Sequence, residues 1–116
     1  MKTNPQLNNL IGELKKEANE RKVKLWKRLA IDLERPTSRR KAVNLSKLNL
    51  LTKENEVVVV PGKVLSNGEL DHKITVVALN FSTQAVEKIK NSNSQIYTIG
   101  EFIKSNPEGK NVRILT

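Results

Sequence analysis

Val57-Val-Val-Val-Pro-Gly-Lys-Val-Leu-Ser-Asn-Gly-Glu-Leu-Asp-His-Lys-Ile-Thr-Val-Val-Ala-Leu79 is the stretch whose reading decides the fold. Val57 to Val60 is an unbroken β-branched run, the pattern of a strand buried on both faces. Pro61-Gly62 interrupts it as a kink, either a simple β-bulge or a place where backbone comes close to a ligand. Val64-Leu65 resumes the strand. Ser66-Asn67-Gly68 then reads as a tight turn, because Asn-Gly supplies the positive φ angles that a short hairpin needs. Ile74 to Leu79 is the next strand. The local expectation is a strand-turn-strand hairpin.

Downstream, Ser82 is placed to cap a helix over Thr83 to Lys90, with Ala85, Val86 and Ile89 as its inner face. Gln95 to Thr98 reads as a strand. Thr98 caps a short helix over Gly100 to Lys104, which Asn106-Pro107 closes. Val112 to Leu115 is the last strand. Upstream, Ala42 to Leu45 forms a short strand, and Ser46 caps a helix over Lys47 to Leu51 with Leu48 and Leu51 inward. Short strands alternating with short helices define an α/β fold.

The N-terminal part is helical. Thr3 or Asn4 caps a first helix with Pro5 at its opening position, where a missing N–H costs nothing. Leu7, Leu10, Ile11, Leu14 and Ala18 make one apolar stripe. A second helix spans Val23 to Glu34, with Leu25, Trp26, Leu29, Ala30 and Leu33 on one side. Pro36 ends it. The two form a helical hairpin, and Trp26 belongs to the core rather than to a base-stacking surface.

Between these parts lies Arg35-Pro-Thr-Ser-Arg-Arg-Lys-Ala-Val-Asn-Leu-Ser-Lys47, and no acid occurs from residue 35 to residue 53. The chain divides into a helical part at 1–34, a basic arm at 35–53 and an α/β body at 54–116. Its 116 residues suit one domain. The net charge is +9, and residues 1–60 hold 14 basic against 7 acidic side chains. That excess, concentrated in one half, points to a phosphate-rich partner.

Arg35, Arg39, Arg40, Lys41, Lys47 and Lys53 form the candidate phosphate-binding set, since guanidinium forks match phosphate oxygens. Lys63, His72 and Lys73 flank the expected hairpin, which would turn them toward one nucleic-acid strand. Aromatic content is only 3%, so binding should rest on phosphate and sugar contacts rather than stacking.

Other chemistry finds little footing. The chain has no cysteine and one histidine, which disfavours disulfides and metal sites. His72 has no positioned nucleophile beside it, and no glycine-rich phosphate loop is present. No cofactor, small-molecule substrate or catalysis is expected. Apolar runs fall short of a membrane span, and the N-terminus lacks the apolar core of a secretory signal. The chain reads as cytoplasmic, which leaves the sequons at Asn44 and Asn80 without meaning.

The residues resemble the large-subunit ribosomal protein family eighteen-e, relatives of bacterial large-subunit protein fifteen. The resemblance is carried by Lys2-Thr-Asn-Pro5, Arg39 to Asn49, Val57 to Leu65 and Gly68 to Ala78. Phe81-Ser82 and Asn106-Pro107 through Arg113 add to it, and the short length fits the archaeal form. It implies a fold with an irregular superhelix of strand-strand-helix units behind an N-terminal helical segment. It also implies a structural role in the large ribosomal subunit, among neighbouring ribosomal proteins and bound to large-subunit ribosomal RNA. The family's RNA contacts map onto Arg39, Arg40, Lys41, Asn44, Lys47, Lys63, His72 and Lys73. A free-standing nucleic-acid-binding regulator, docking through the helical hairpin, is the alternative.

Overall fold

The computed structural model describes residues 5–34, 42–105 and 112–115. Arg35, Arg39, Arg40 and Lys41 therefore lie outside the described residues, as do the expected Thr3 or Asn4 cap and Asn106-Pro107. Among the described residues no helix is long and apolar enough to cross a membrane.

The fold is α/β, a parallel sheet between two helical layers. Strand β2 (Val57–Leu65) is its axis. One edge of β2 pairs in parallel with β3 (Thr75–Phe81), which pairs in parallel with β4 (Gln95–Thr98). The other edge of β2 is shared. Its first half pairs with β5 (Val112–Ile114), and its last residues pair with β1 (Val43–Asn44). The register shifts between Val60 and Lys63, so Pro61-Gly62 is a bulge inside one continuous strand.

The valine run explains why β2 is central. Val58, Val60 and Val64 enter one core cluster, and Val59 enters the other. Each buried valine contributes about 1.5–3 kcal/mol of hydrophobic stabilisation. The first cluster is covered by α3 (Leu45–Leu51) and α4 (Thr83–Asn91), through Leu45, Leu48, Ala85 and Ile89. The second is covered by α1 (Pro5–Arg21), α2 (Lys24–Glu34) and α5 (Ile99–Ser105). α1 and α2 pack together as the expected hairpin. Trp26 is fully buried, edge-on to Phe102 at 6.2 Å.

The capping signals hold where the hydroxyl residue directly precedes a helix. The Ala85 N–H donates to Ser82 Oγ at 3.1 Å. Thr98 and Glu101 form a reciprocal capping box: the Thr98 N–H donates to Glu101 Oε1, and the Glu101 N–H donates to Thr98 Oγ1. The Thr98 N–H, and after it the Thr98 hydroxyl, which donates to Glu101 Oε1 at 2.9 Å, hold the Glu101 carboxyl below its ordinary value.

Four expectations are corrected. The segment Ser66 to Ile74 is not a hairpin turn, because β2 and β3 run parallel. It is a crossover that buries Leu70 against the α3–α4 face. Only Gly68 in the Asn67-Gly68 pair has positive φ, +100°, whereas a type I′ turn needs both. Helix α3 starts at Leu45, with Asn44 rather than Ser46 at the cap position and no side-chain capping bond. Leu51 is 42% exposed rather than inward.

Two residues of α2 have a burial opposite to their residue type. Ile31 is 48% exposed, whereas Asp32 is only 5% exposed. Arg28 pairs with Asp32 Oδ2 at 3.4 Å, yet that oxygen makes no hydrogen bond. The link between α1 and α2 contains Lys22 at φ 55°, a left-handed residue with no glycine to announce it.

Candidate nucleic-acid interface

The basic arm leaves α2 at Glu34 and the described chain resumes at Ala42, directly before β1. β1 pairs with the end of β2, Val43 opposite Val64 and Asn44 opposite Leu65. Ala42, where the described chain resumes, therefore stands at the carboxyl-terminal end of the parallel sheet. In open α/β sheets that end is where ligands are usually taken up. Exposed Lys63 lies at this end, in register with exposed Asn80 of β3.

Asn44 is already engaged there. Its Oδ1 accepts the Asn67 N–H at 3.3 Å, and the Asn67 carbonyl accepts the Ser46 N–H at 3.0 Å. This clasp ties the β2–β3 crossover to the start of α3. Lys88 of α4 closes it from the other side, donating to the carbonyls of Ser66 at 3.1 Å and Gly68 at 3.0 Å. Glu69 sits 3.3 Å from the same ammonium. The sequence reading missed Lys88, and only its helical spacing from Gln84, which meets Ser66, hints at the contact.

Lys53, His72 and Lys73 lie at the opposite end of the sheet. α3 runs back from Leu45 to Leu51, and Thr52, which caps it, meets His72 there. The Asn55 N–H donates to the Lys73 carbonyl at 2.6 Å, just before β3. Lys63 pairs with Asn80, seven residues beyond Lys73. At about 3.3 Å per strand residue the two lysines stand on the order of 20 Å apart. The expected convergence of Lys63, His72 and Lys73 is therefore corrected: a parallel pairing separates what a hairpin would have joined. Lys47 is exposed on the first turn of α3.

His72 is held from both ring nitrogens. Thr52 Oγ1 lies 2.7 Å from Nε2 and Asp71 Oδ1 lies 2.9 Å from Nδ1. Thr52 Oγ1 also donates to the Leu48 carbonyl at 2.6 Å. The Asp71 N–H donates to Asn49 Oδ1 at 2.9 Å. The histidine side chain is 17% exposed, so it joins the crossover to the end of α3 more than it faces solvent. Beside it is a shallow polar depression lined by Glu54, Asp71, Lys73, Ser94 and Gln95. Its two carboxylates temper the positive potential of Lys53 and Lys73.

The His72 hydrogen bond, followed by that to Asn49, holds the Asp71 carboxyl below its ordinary value. A depressed folded-state pKa stabilises the fold above the unfolded pKa, and that contribution is lost as pH falls through the folded value. Asp71→Asn should lower stability modestly at neutral pH, where the carboxylate contributes, and converge with the parent protein below about pH 4, so that the acid limb of the stability curve is flatter. Urea denaturation across that range checks this.

The family model described as ribosomal protein 60S L18 and 50S L18e matches residues 7–116. The chain belongs to this family. The large ribosomal subunit protein eL18 of Methanothermobacter thermautotrophicus is 46% identical over 114 residues, which cover 98% of this chain and 94% of that protein. The eL18 protein of Methanoregula boonei gives the same identity and coverage. That of Sulfurisphaera tokodaii is 44% identical over 113 residues, covering 97% of this chain and 92% of its own. The L18e resemblance read from the residues is thereby established, and every described element falls within or overlaps the matched span.

Proposed function

We propose that this chain is a non-catalytic structural constituent of the large ribosomal subunit, in the cytoplasm, that binds large-subunit ribosomal RNA and sits among other ribosomal proteins. Membership of the L18e family is the observation that carries this reading. The three parts act as one RNA-binding domain. Arg35, Arg39, Arg40, Lys41, Asn44 and Lys47 line the arm, and Lys63 extends it at the carboxyl-terminal end of the sheet. Lys53, His72 and Lys73 make a second, weaker contact at the far end. The rigid sheet fixes the arm's exit, and the arm neutralises phosphates where RNA helices crowd together.

Two measurements test this. Sedimentation of a native lysate through a high-salt gradient should place the protein with the large subunit. A position at the top of the gradient would favour a free nucleic-acid-binding regulator instead. The second measurement is the salt dependence of binding to large-subunit ribosomal RNA. Each phosphate contact contributes a log–log slope of roughly 0.7–0.9. Arg39→Ala with Arg40→Ala should make the slope shallower by about 1.5 and weaken binding by about tenfold or more near 0.1 M salt. An unchanged slope would remove the arm from the interface. Lys53→Ala with Lys73→Ala should have the smaller effect, since carboxylates already offset those cations.

A further inference from the structure

The α1–α2 hairpin carries a groove whose Ala18, Val23 and Ala30 also pack against the second core cluster, while Ile31 beside them is exposed. The groove holds about 610 Å³. Its floor is apolar, formed by Ala18, Val23, Ala30 and Ile31. Lys22, Lys24 and Lys27 stand on its rim. Lys15 and Glu34 close one end as an ion pair, so the one carboxylate among the described lining residues is already answered by a lysine. The other side of the same hairpin faces the sheet through Leu14, Trp26, Leu29 and Leu33. Ile31 is therefore not a displaced core residue. It is an isoleucine held half in water on an otherwise well-ordered amphipathic helix.

We infer that this groove is a docking site for an acidic protein segment bearing a bulky apolar side chain, contributed by another protein of the large subunit. The inference rests on the ribosomal reading above and names a partner chemistry that the reading leaves open. Two observations choose the occupant. The three rim lysines call for negative charge. The apolar floor calls for an aliphatic or aromatic knob, because burying Ile31 and Val23 is favourable only against apolar surface. An RNA backbone answers the lysines but leaves the floor wet. A basic protein tail would be repelled by the lysines. The apolar floor would supply affinity, and the lysines would steer and orient the partner.

The experiment places the photo-crosslinking residue p-benzoylphenylalanine at position 31 of the full chain, in cells, and isolates salt-washed large subunits. The expected product is resistant to ribonuclease and sensitive to protease. Its crosslinked peptide should have an excess of Asp and Glu around at least one large apolar residue. Adding Lys24→Glu and Lys27→Glu should lower the adduct yield by about fivefold or more if charge draws the segment in. A ribonuclease-sensitive adduct would assign the groove to RNA and overturn the inference alone. So would an adduct to a basic peptide, or no adduct in particles that contain the protein. Absence of the unlabelled protein from the particle would sink the ribosomal reading, and this inference with it.

Discussion

Gly68→Ala is expected to destabilise the fold by about 2–4 kcal/mol, through two effects acting at one atom. Gly68 has a φ of +100°, a conformation that L side chains rarely adopt. A β-carbon there would also lie 2.6 Å from Ser46 Cβ and from the Ser46 backbone N, and 2.8 Å from Ser46 Cα. These are not the ends of flexible side chains. Ser46 is in the first turn of α3, and its N–H is bonded to Asn67. The crossover would have to lift away and take the Asn44, Asn67 and Lys88 contacts with it. Thermal denaturation should show a midpoint lower by on the order of 10 °C. Gly12→Ala is the control. Gly12 is exposed on α1 with nothing within 4 Å of the added carbon, so alanine should stabilise by about 0.5–1 kcal/mol. Equal effects at the two glycines would refute the close approach.

Trp26→Ala should be the costliest single change, about 3–5 kcal/mol. Trp26 is fully buried and meets Phe102 nearly at right angles, with an interplanar angle of 72°. It fastens the helical hairpin to the α5 side of the sheet, where Val59 and Val77 complete the cluster. Its removal leaves a cavity shared by three helices. Trp26→Phe keeps an edge contact and should lose much less. The pair of variants also separates packing from recognition. If Trp26 stacked on RNA, Trp26→Phe would weaken RNA binding while stability stayed near normal. Its burial predicts the opposite: stability falls, and RNA affinity of the remaining folded protein is unchanged.

The sequence showed some of this and hid the rest for physical reasons. The valine run of β2 announced a strand buried on both faces, and the two core clusters meet on it. Ser82 and Thr98 announced α4 and α5 because a capping hydroxyl is a local signal, answered within three residues. The Asn67-Gly68 pair misled because it too is local, whereas strand direction is decided by long-range packing. Two strands buried on both faces already favour parallel pairing, and that signal should have outweighed the turn. The consequence reached the site: Lys63 and Lys73 are ten residues apart in sequence and at opposite ends of the sheet. The clasp roles of Asn44 and Lys88 depend on a crossover path that no short motif encodes. Ile31 lies outside the apolar side read for α2 and is exposed accordingly, whereas the burial of Asp32 beside it is not signalled by its residue type.

The shared edge of β2 also bears on how the chain is made. β1 and β3 emerge soon before and soon after β2, but β5 reaches it from 55 residues downstream, Val57 lying opposite Val112. Until Val112–Ile114 has left the exit tunnel, the edge of Val57-Val58-Val59 has no partner on that side. An open edge of three valines is a template for pairing with another nascent chain. Synthesis of this protein therefore passes through an interval in which a valine-rich edge of β2 is uncovered, and the late-made strand Val112–Ile114 is the one that seals it.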